Sequence, residues 1–145
     1  MAKEPVFKEN ADAVQAHLSI SQSVIQRMAE NSASSKGWCI AIVSAILVVV
    51  ADKGEPDFAL IAILPTILFL AQDAYYLGLE KRFRNSYNSF IQRLHKKGIE
   101  ASDLFAITPK GGAIKHFFKA LGSFSVWPFY TTLIIMIFIV RCYII

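Results

Sequence analysis

Phe58–Lys97, FALIAILPTILFLAQDAYYLGLEKRFRNSYNSFIQRLHKK, decides how the rest of the chain reads. From Phe58 to Ala71 the stretch is apolar on every side and uncharged, whereas from Glu80 on it is charged on one side and apolar on the other. Between the two parts stand Gln72, Asp73, Tyr75, Tyr76 and a lone Gly78, with no proline and no turn cluster. A helix apolar all round suits lipid tails, and a striped helix suits water on one side and a partner on the other. The stretch therefore predicts one helix that leaves a membrane without stopping and continues as a cytosolic arm.

Upstream lies its counterpart. After a short lead over residues 1–9 that reads as disordered, Asn10 is placed to cap a helix with Asp12 in its first turn, where the dipole favours a negative charge. Ala11, Val14, Leu18, Ser21, Ile25, Met28 and Ser32 then recur at threes and fours, the spacing of a helix–helix seam. Trp38–Ala51 is uncharged but only about 21 Å long as helix, short of the roughly 30 Å hydrocarbon core. The span must recruit Asn31–Gly37, whose small residues suit close packing in a membrane, or else thin the bilayer locally. Asp52–Asp57, with Gly54 and Pro56, is a tight turn between the two helices, which are expected over 11–51 and 58–97. Pro65 predicts a mild kink in the second.

Counting from that turn sets a register. Lys36 and Asp73 fall at the same depth, roughly 22 Å from the tip, where a charge is costly unless paired or wet. They are expected to approach each other or to face a hydrated lumen, unless each snorkels separately to the headgroups. The same register brings Arg27 near Glu80, Glu30 near Arg82, Leu18 near Ile91 and Asp12 near Lys96 and Lys97. Tyr76, Leu79, Phe83, Tyr87, Phe90 and Leu94 form the arm's own seam.

Gly98 is expected to end the arm, and Ser102 to cap one helical turn before the Pro109–Gly112 break; this PKGG follows no strand and reads as a plain turn rather than a phosphate loop. Within the segment 99–121, Ala113–Leu121 places Ile114, Phe117, Phe118 and Leu121 on one face, with Lys110, Lys115, His116 and Lys119 around it. Such a helix either lies in the headgroup plane or packs on the arm. A third span is expected over 124–145, entered through a belt of Trp127, Phe129 and Tyr130, with Pro128 in its first turn and Arg141 and Tyr143 at the far interface.

The fold class is thus an all-α integral membrane protein: a long antiparallel hairpin running from bilayer into cytosol, an amphipathic interfacial helix and a third transmembrane helix. At 145 residues and 54% hydrophobic, the chain suits one small membrane domain. The lead has no apolar core of a cleaved signal peptide. Lys3, Lys8, Arg27 and Lys36 precede the first span, nine Lys and Arg occupy 80–123, and the turn holds only Lys53. Positive residues stay in the cytosol, so the N-terminus and 80–123 are placed inside and the turn and C-terminus outside.

Chemistry is sparse. Cys39 and Cys142 lack a CxxC partner or a histidine at metal spacing, so no disulfide framework, zinc site or other cofactor is expected. His17, His95 and His116 are scattered; the register lets His17 and His95 meet on the arm as a surface pair. With no nucleophile motif, Walker loop or dinucleotide fingerprint, a non-enzyme is expected. Lys81, Arg82 and Arg84 around Phe83, together with Lys115 and Lys119, are candidates for lipid headgroups or a protein partner, at about 1 kcal/mol per charge for anionic lipid. A nucleotide or nucleic acid has charge alone in its favour.

At Ala71–Arg84, AQDAYYLGLEKRFR, following the hairpin turn, the layout resembles SLATT-type proteins. The likeness covers Ala11–Lys97 and is one of architecture: helix, two close spans, long cytosolic helix. It implies a pore-forming effector of bacterial anti-phage defence, a partner that senses infection and an output that breaches the inner membrane. No functional residue carries over, and the third span is additional to the family pattern.

Three functions compete. The polar stripe of Ser32, Ser35, Lys36, Ser44, Thr66, Gln72 and Asp73 suggests a homo-oligomeric channel or pore gated through its cytosolic helices. Alternatively the hairpin arm docks a soluble enzyme encoded nearby, making the chain an anchor or regulatory subunit. A phage-type lysis pore is the third, although the ordered cytosolic part exceeds what that job requires.

Overall fold

A computed structural model describes residues 7–96 and 98–143. Residues 1–6 of the lead, Lys97 at the expected end of the arm and the last two residues of the third span lie outside them. Among the described residues four α-helices account for most of the length: α1, Asp12–Lys53; α2, Ile63–His95; α3, Ala113–Leu121; and α4, Trp127–Tyr143. Among the described residues there is no strand. The helical runs Asp12–Lys53 and Pro56–His95 are each long and apolar enough to cross a membrane, and α4 is a shorter apolar helix.

α1 and α2 form one antiparallel hairpin. α1 is 42 residues, about 63 Å of helix, and ends where Gly54 takes the left-handed conformation (φ 66°) and its N–H closes onto Val50 C=O. Only a residue without Cβ adopts that cap at no steric cost. At its other end the cap position falls to Ala11 without a side-chain bond, since Asn10 lies in the preceding turn.

The second helix does not begin as an α-helix at Phe58. Pro56–Ala62 is a 3-10 segment that hands over to α2 at Ile63. Pro65 then sits in the first turn of α2, where backbone N–H groups have no intrahelical acceptor. The helix type thus changes just before this proline. Beyond, α2 is continuous to His95 and passes through Gly78 without a break.

Two apolar clusters hold the molecule. The larger, near the hairpin tip, joins Cys39, Val43 and Val50 of α1, Ala59 and Ala62 of the 3-10 segment and Val126, Tyr130, Leu133 and Ile137 on or beside α4. Positions 126, 130, 133 and 137 recur at fours and threes, the inward stripe of α4. At the open end Val14, Phe90, Leu94 and Ile99 form the second cluster, with Phe7, Ala11, Leu18 and Leu104 against it. Phe7 is therefore packed, and the short lead is in part a piece of this cluster. Along α1 between the two clusters, the buried residues are Ser21, Ser32 and Ser35.

α4 runs antiparallel to α2. Tyr130 near its start donates its hydroxyl to Phe69 C=O (3.0 Å), and Arg141 near its end pairs with Asp57 at the tip (3.0 Å). The connection between α2 and α3 holds a three-residue 3-10 turn, Ala101–Asp103, capped reciprocally by Glu100 and Asp103. Ser102, expected as the cap, lies inside that turn, because Glu100 two residues earlier takes the cap position and accepts the Asp103 N–H. α3 spans the residues expected of it and packs on α2.

Candidate functional site

The polar layer sits where the apolar part of the hairpin gives out. Asp73 on α2 is wholly buried. Its Oδ1 accepts the Ser32 hydroxyl at 2.5 Å, and its Oδ2 faces the Lys36 ammonium at 2.6 Å. Ser32 and Lys36 are four apart on α1, one turn stacked on the next, so a single carboxylate reaches both. The Lys36 side chain keeps 20% of its surface exposed. The register counted from the turn thus places Lys36 opposite Asp73 as built, and Gln22 opposite Tyr87 lies on the same register, at 3.1 Å.

Rotation about the helix axes divides the expected polar stripe. Asp73, Ser35 and Thr66 are buried within one chain; Asp73 and Thr66 face no lumen there, and Ser35 lies at the floor of the notch between the helices. Ser35 donates to Asn31 C=O at 2.9 Å and Thr66 to Ala62 C=O at 2.7 Å, each the backbone acceptor one turn back that small hydroxyl residues use in a helix. Gln72 and Ser44 point outward, on different sides: Gln72 between α1 and α2, Ser44 toward the groove between α1 and α4.

Gln72 belongs to a polar notch. Asn31, Ser34, Ser35 and Trp38 of α1 and Phe69, Gln72 and Tyr76 of α2 enclose about 180 Å³ open to the outside of the hairpin. Among the described residues, the side chains of Asn31, Ser34, Gln72 and Tyr76 make no hydrogen bond. Toward the tip the same face of α1 turns apolar at Ile42, Ala45 and Val49, and there Ala45 and Val49 line a second recess with Phe58 and Ile61.

Asn31 and Ser34, grouped by sequence with the small packing residues of 31–37, line the notch instead. Their signal was the spacing Asn31–Ser34–Trp38, a stripe displaced from the seam by one residue. Tyr130 also departs from its expected place: it is buried against α2, and does not belong to an exposed belt with Trp127.

On the arm, the charged residues that the register brings to one level form no ion pair across the hairpin among the described residues. Glu80 takes Arg84 one turn on (2.6 Å), Glu30 accepts from Gln26 (2.8 Å), and Arg82 turns away to Gly111 C=O (3.0 Å). Within-helix partners are always in reach, whereas cross-hairpin ones require both long side chains to face the seam. His17 and His95 do not meet. His95 lies 3.7 Å from Glu9, while His17 is buried, stacks on Phe90 with ring centroids 4.1 Å apart and accepts the Phe105 N–H on Nδ1 at 2.9 Å. Phe105 has a positive φ of 63°, uncommon for a bulky residue. Burial pushes the His17 pKa below its ordinary value, and Asp103 nearby opposes this in part. Asp103 is itself ion-paired with Arg93, and that contact holds its carboxyl below the usual carboxylate value.

Of the candidate contact residues, Arg82 is tied to Gly111 and Arg84 to Glu80, while Lys115 and Lys119 stand exposed on α3 and Lys81 is half-buried. Cys39 is buried and Cys142 exposed, both as free thiols. No group of histidine, cysteine and carboxylate side chains among the described residues is placed to hold a metal ion. Comparison with protein families, with curated proteins and with solved structures found no match to this chain.

Proposed function

We propose that this chain is a three-span protein of the bacterial inner membrane that assembles with copies of itself into an ion channel, gated through its cytosolic helices. The observation that carries this reading is the outward polar notch at Asn31, Ser34, Gln72 and Tyr76. Donors and acceptors without partners at membrane depth are costly against lipid. Water in a shared lumen, or a second copy, satisfies them. Continued toward the tip, the same face is apolar at Ile42, Ala45 and Val49. A lumen built on it is wet at its inner end and narrow and apolar at its outer end, and apolar constrictions gate by expelling water. The Lys36–Asp73 pair, buried on the Asp73 side, fastens the two long helices just beside this path, so that a tilt of the arms is passed to the constriction. A role in anti-phage defence follows from the architectural resemblance alone.

Ion flux into liposomes containing the purified protein tests the reading. Flux that rises with Ile42→Ser, which wets the constriction, and falls with Gln72→Leu is the expected result. A preparation that never conducts and stays monomeric overturns it.

A second reading has one observation in its favour. Gln22, Ile25, Gln26, Ala29, Arg84, Tyr87 and Asn88 line an open groove of about 450 Å³ between the two arms. Its amides, phenol and guanidinium suit a docked protein segment. A soluble partner co-purifying with the wild type and lost with Tyr87→Ala, in the absence of any flux, favours an anchor over a channel.

A further inference from the structure

α3 is amphipathic in a way that its packing on α2 does not use. Its backbone approaches α2 at Gly78: a Cβ there would lie 3.4 Å from the His116 carbonyl and the Phe117 nitrogen. The side of α3 turned to α2 carries Ala120, fully buried, with His116 and Phe117 half-buried beside it. Two flanks remain. With 3.6 residues per turn, Ile114, Phe118 and Leu121 fall within an arc of about 60°, and Lys115 and Lys119 within a neighbouring arc of about 40°.

The apolar flank is bare: Ile114 is 74% exposed and Phe118 65% exposed. Phe124, in the turn that leads to α4, is 84% exposed. What covers these residues is indicated by their place in the chain. A few residues on, α4 begins, apolar along nearly its whole length. Gly78, against which α3 sits, is little more than a turn past Asp73, where the apolar part of α2 ends. An apolar arc bordered by lysines at that level matches the headgroup–acyl boundary, with positive charge facing phosphate.

We infer that α3 docks on the surface of an anionic phospholipid bilayer, with Ile114, Phe118 and Phe124 entering the acyl boundary and Lys115 and Lys119 meeting the headgroup phosphates. The inference requires membrane insertion of α2 and α4 and is independent of conduction. Because Gly78 admits the α3 backbone so closely, a docked α3 also fixes the depth at which α2 leaves the lipid.

The test uses the full chain carrying Cys142→Ser and Phe118→Cys, with a fluorescent label on the new thiol, in vesicles of phosphatidylcholine alone or mixed with phosphatidylglycerol. Quenchers placed on the lipid near the headgroup should quench the label several-fold more strongly than an aqueous quencher does. Adding Lys115→Glu and Lys119→Glu should reduce the lipid quenching, and more so in the anionic vesicles. Aqueous quenching as strong as that of a label at the exposed Ser19→Cys overturns the inference. So does self-quenching that grows with protein density, which assigns the face to a second copy, and so does indifference to the two charge reversals.

Discussion

At the scale of single residues, Asp73 is the side chain whose neighbours are least replaceable. It is wholly buried, and its oxygens are divided between Ser32 and Lys36. Removing one partner of a buried ion pair leaves the other charge uncompensated and costs about 3–5 kcal/mol, whereas replacing both with apolar groups of similar size is often neutral. Asp73→Leu should therefore destabilise the hairpin by about that amount, and Asp73→Leu combined with Lys36→Met should recover most of it. Thermal unfolding of the three forms in detergent measures both effects; a double variant no better than the single one would show that the pair itself, not the orphaned charge, sets the cost. Neighbouring Gln72 has a different fate, one residue along and about 100° around the helix. Its amide faces outward, into the notch.

Among the elements, the connection from α2 to α3 is tied near its end by Arg82 to Gly111 C=O and, earlier, by two further clasps. Arg93 holds Asp103 and reaches Gly98 C=O, and His17 on α1 accepts the Phe105 N–H while stacked on Phe90. Nδ1 can accept only in the neutral ring, so this clasp exists only while His17 carries no charge on that nitrogen. The groups facing it are the rings of Phe90 and Phe105 and the carboxylate of Asp103. Burial lowers its pKa in the folded state, and its contribution to stability is complete above the ordinary value of 6.5 and is lost as pH falls below it. Asp103, lowered by Arg93, keeps its contribution until pH falls through the carboxylate range, so the loss at His17 sets in at the higher pH. Hydrogen-exchange protection of residues 99–108, corrected for intrinsic rates, should drop between about pH 7 and 5, and this step should vanish in His17→Gln. Protection that is flat across that interval would show that the clasp does not depend on the neutral ring.

On the scale of the whole molecule, the C-terminal end of α4 and the hairpin tip lie together, tied by Arg141 and Asp57. In the proposed orientation both are outside, and the exposed thiol of Cys142 is the natural reporter. A membrane-impermeant maleimide added to intact cells should label Cys142, and should reach a cysteine introduced at Ser19 only after the membrane is permeabilised. The reverse pattern inverts the topology, and with it the assignment of the arms to the cytosol. The two apolar clusters give this arrangement its mechanical sense. The one near the tip unites three helical elements, the one at the open end gathers the connecting loop onto the arms, and a buried polar layer borders the first.

Much of this was legible in the residues because it depends on neighbours in the chain. Turn breakers at Gly54 and Pro56, the unbroken pattern through Gly78 and the limits of α3 are local signals. A short turn between two helices converts residue number into depth, so counting put Lys36 and Asp73 at one level, and packing decided that they meet instead of snorkelling apart. What only the tertiary structure decided is rotation about each axis. The side of α4 that faces α2, and with it the burial of Tyr130, depends on how residues far apart in sequence interlock. So does the division of the polar residues between the interior and the notch, and the exposed apolar flank of α3. Local sequence sets a helix's length and stripe; its angle around the axis is chosen by the packing of a neighbour that the local pattern does not contain.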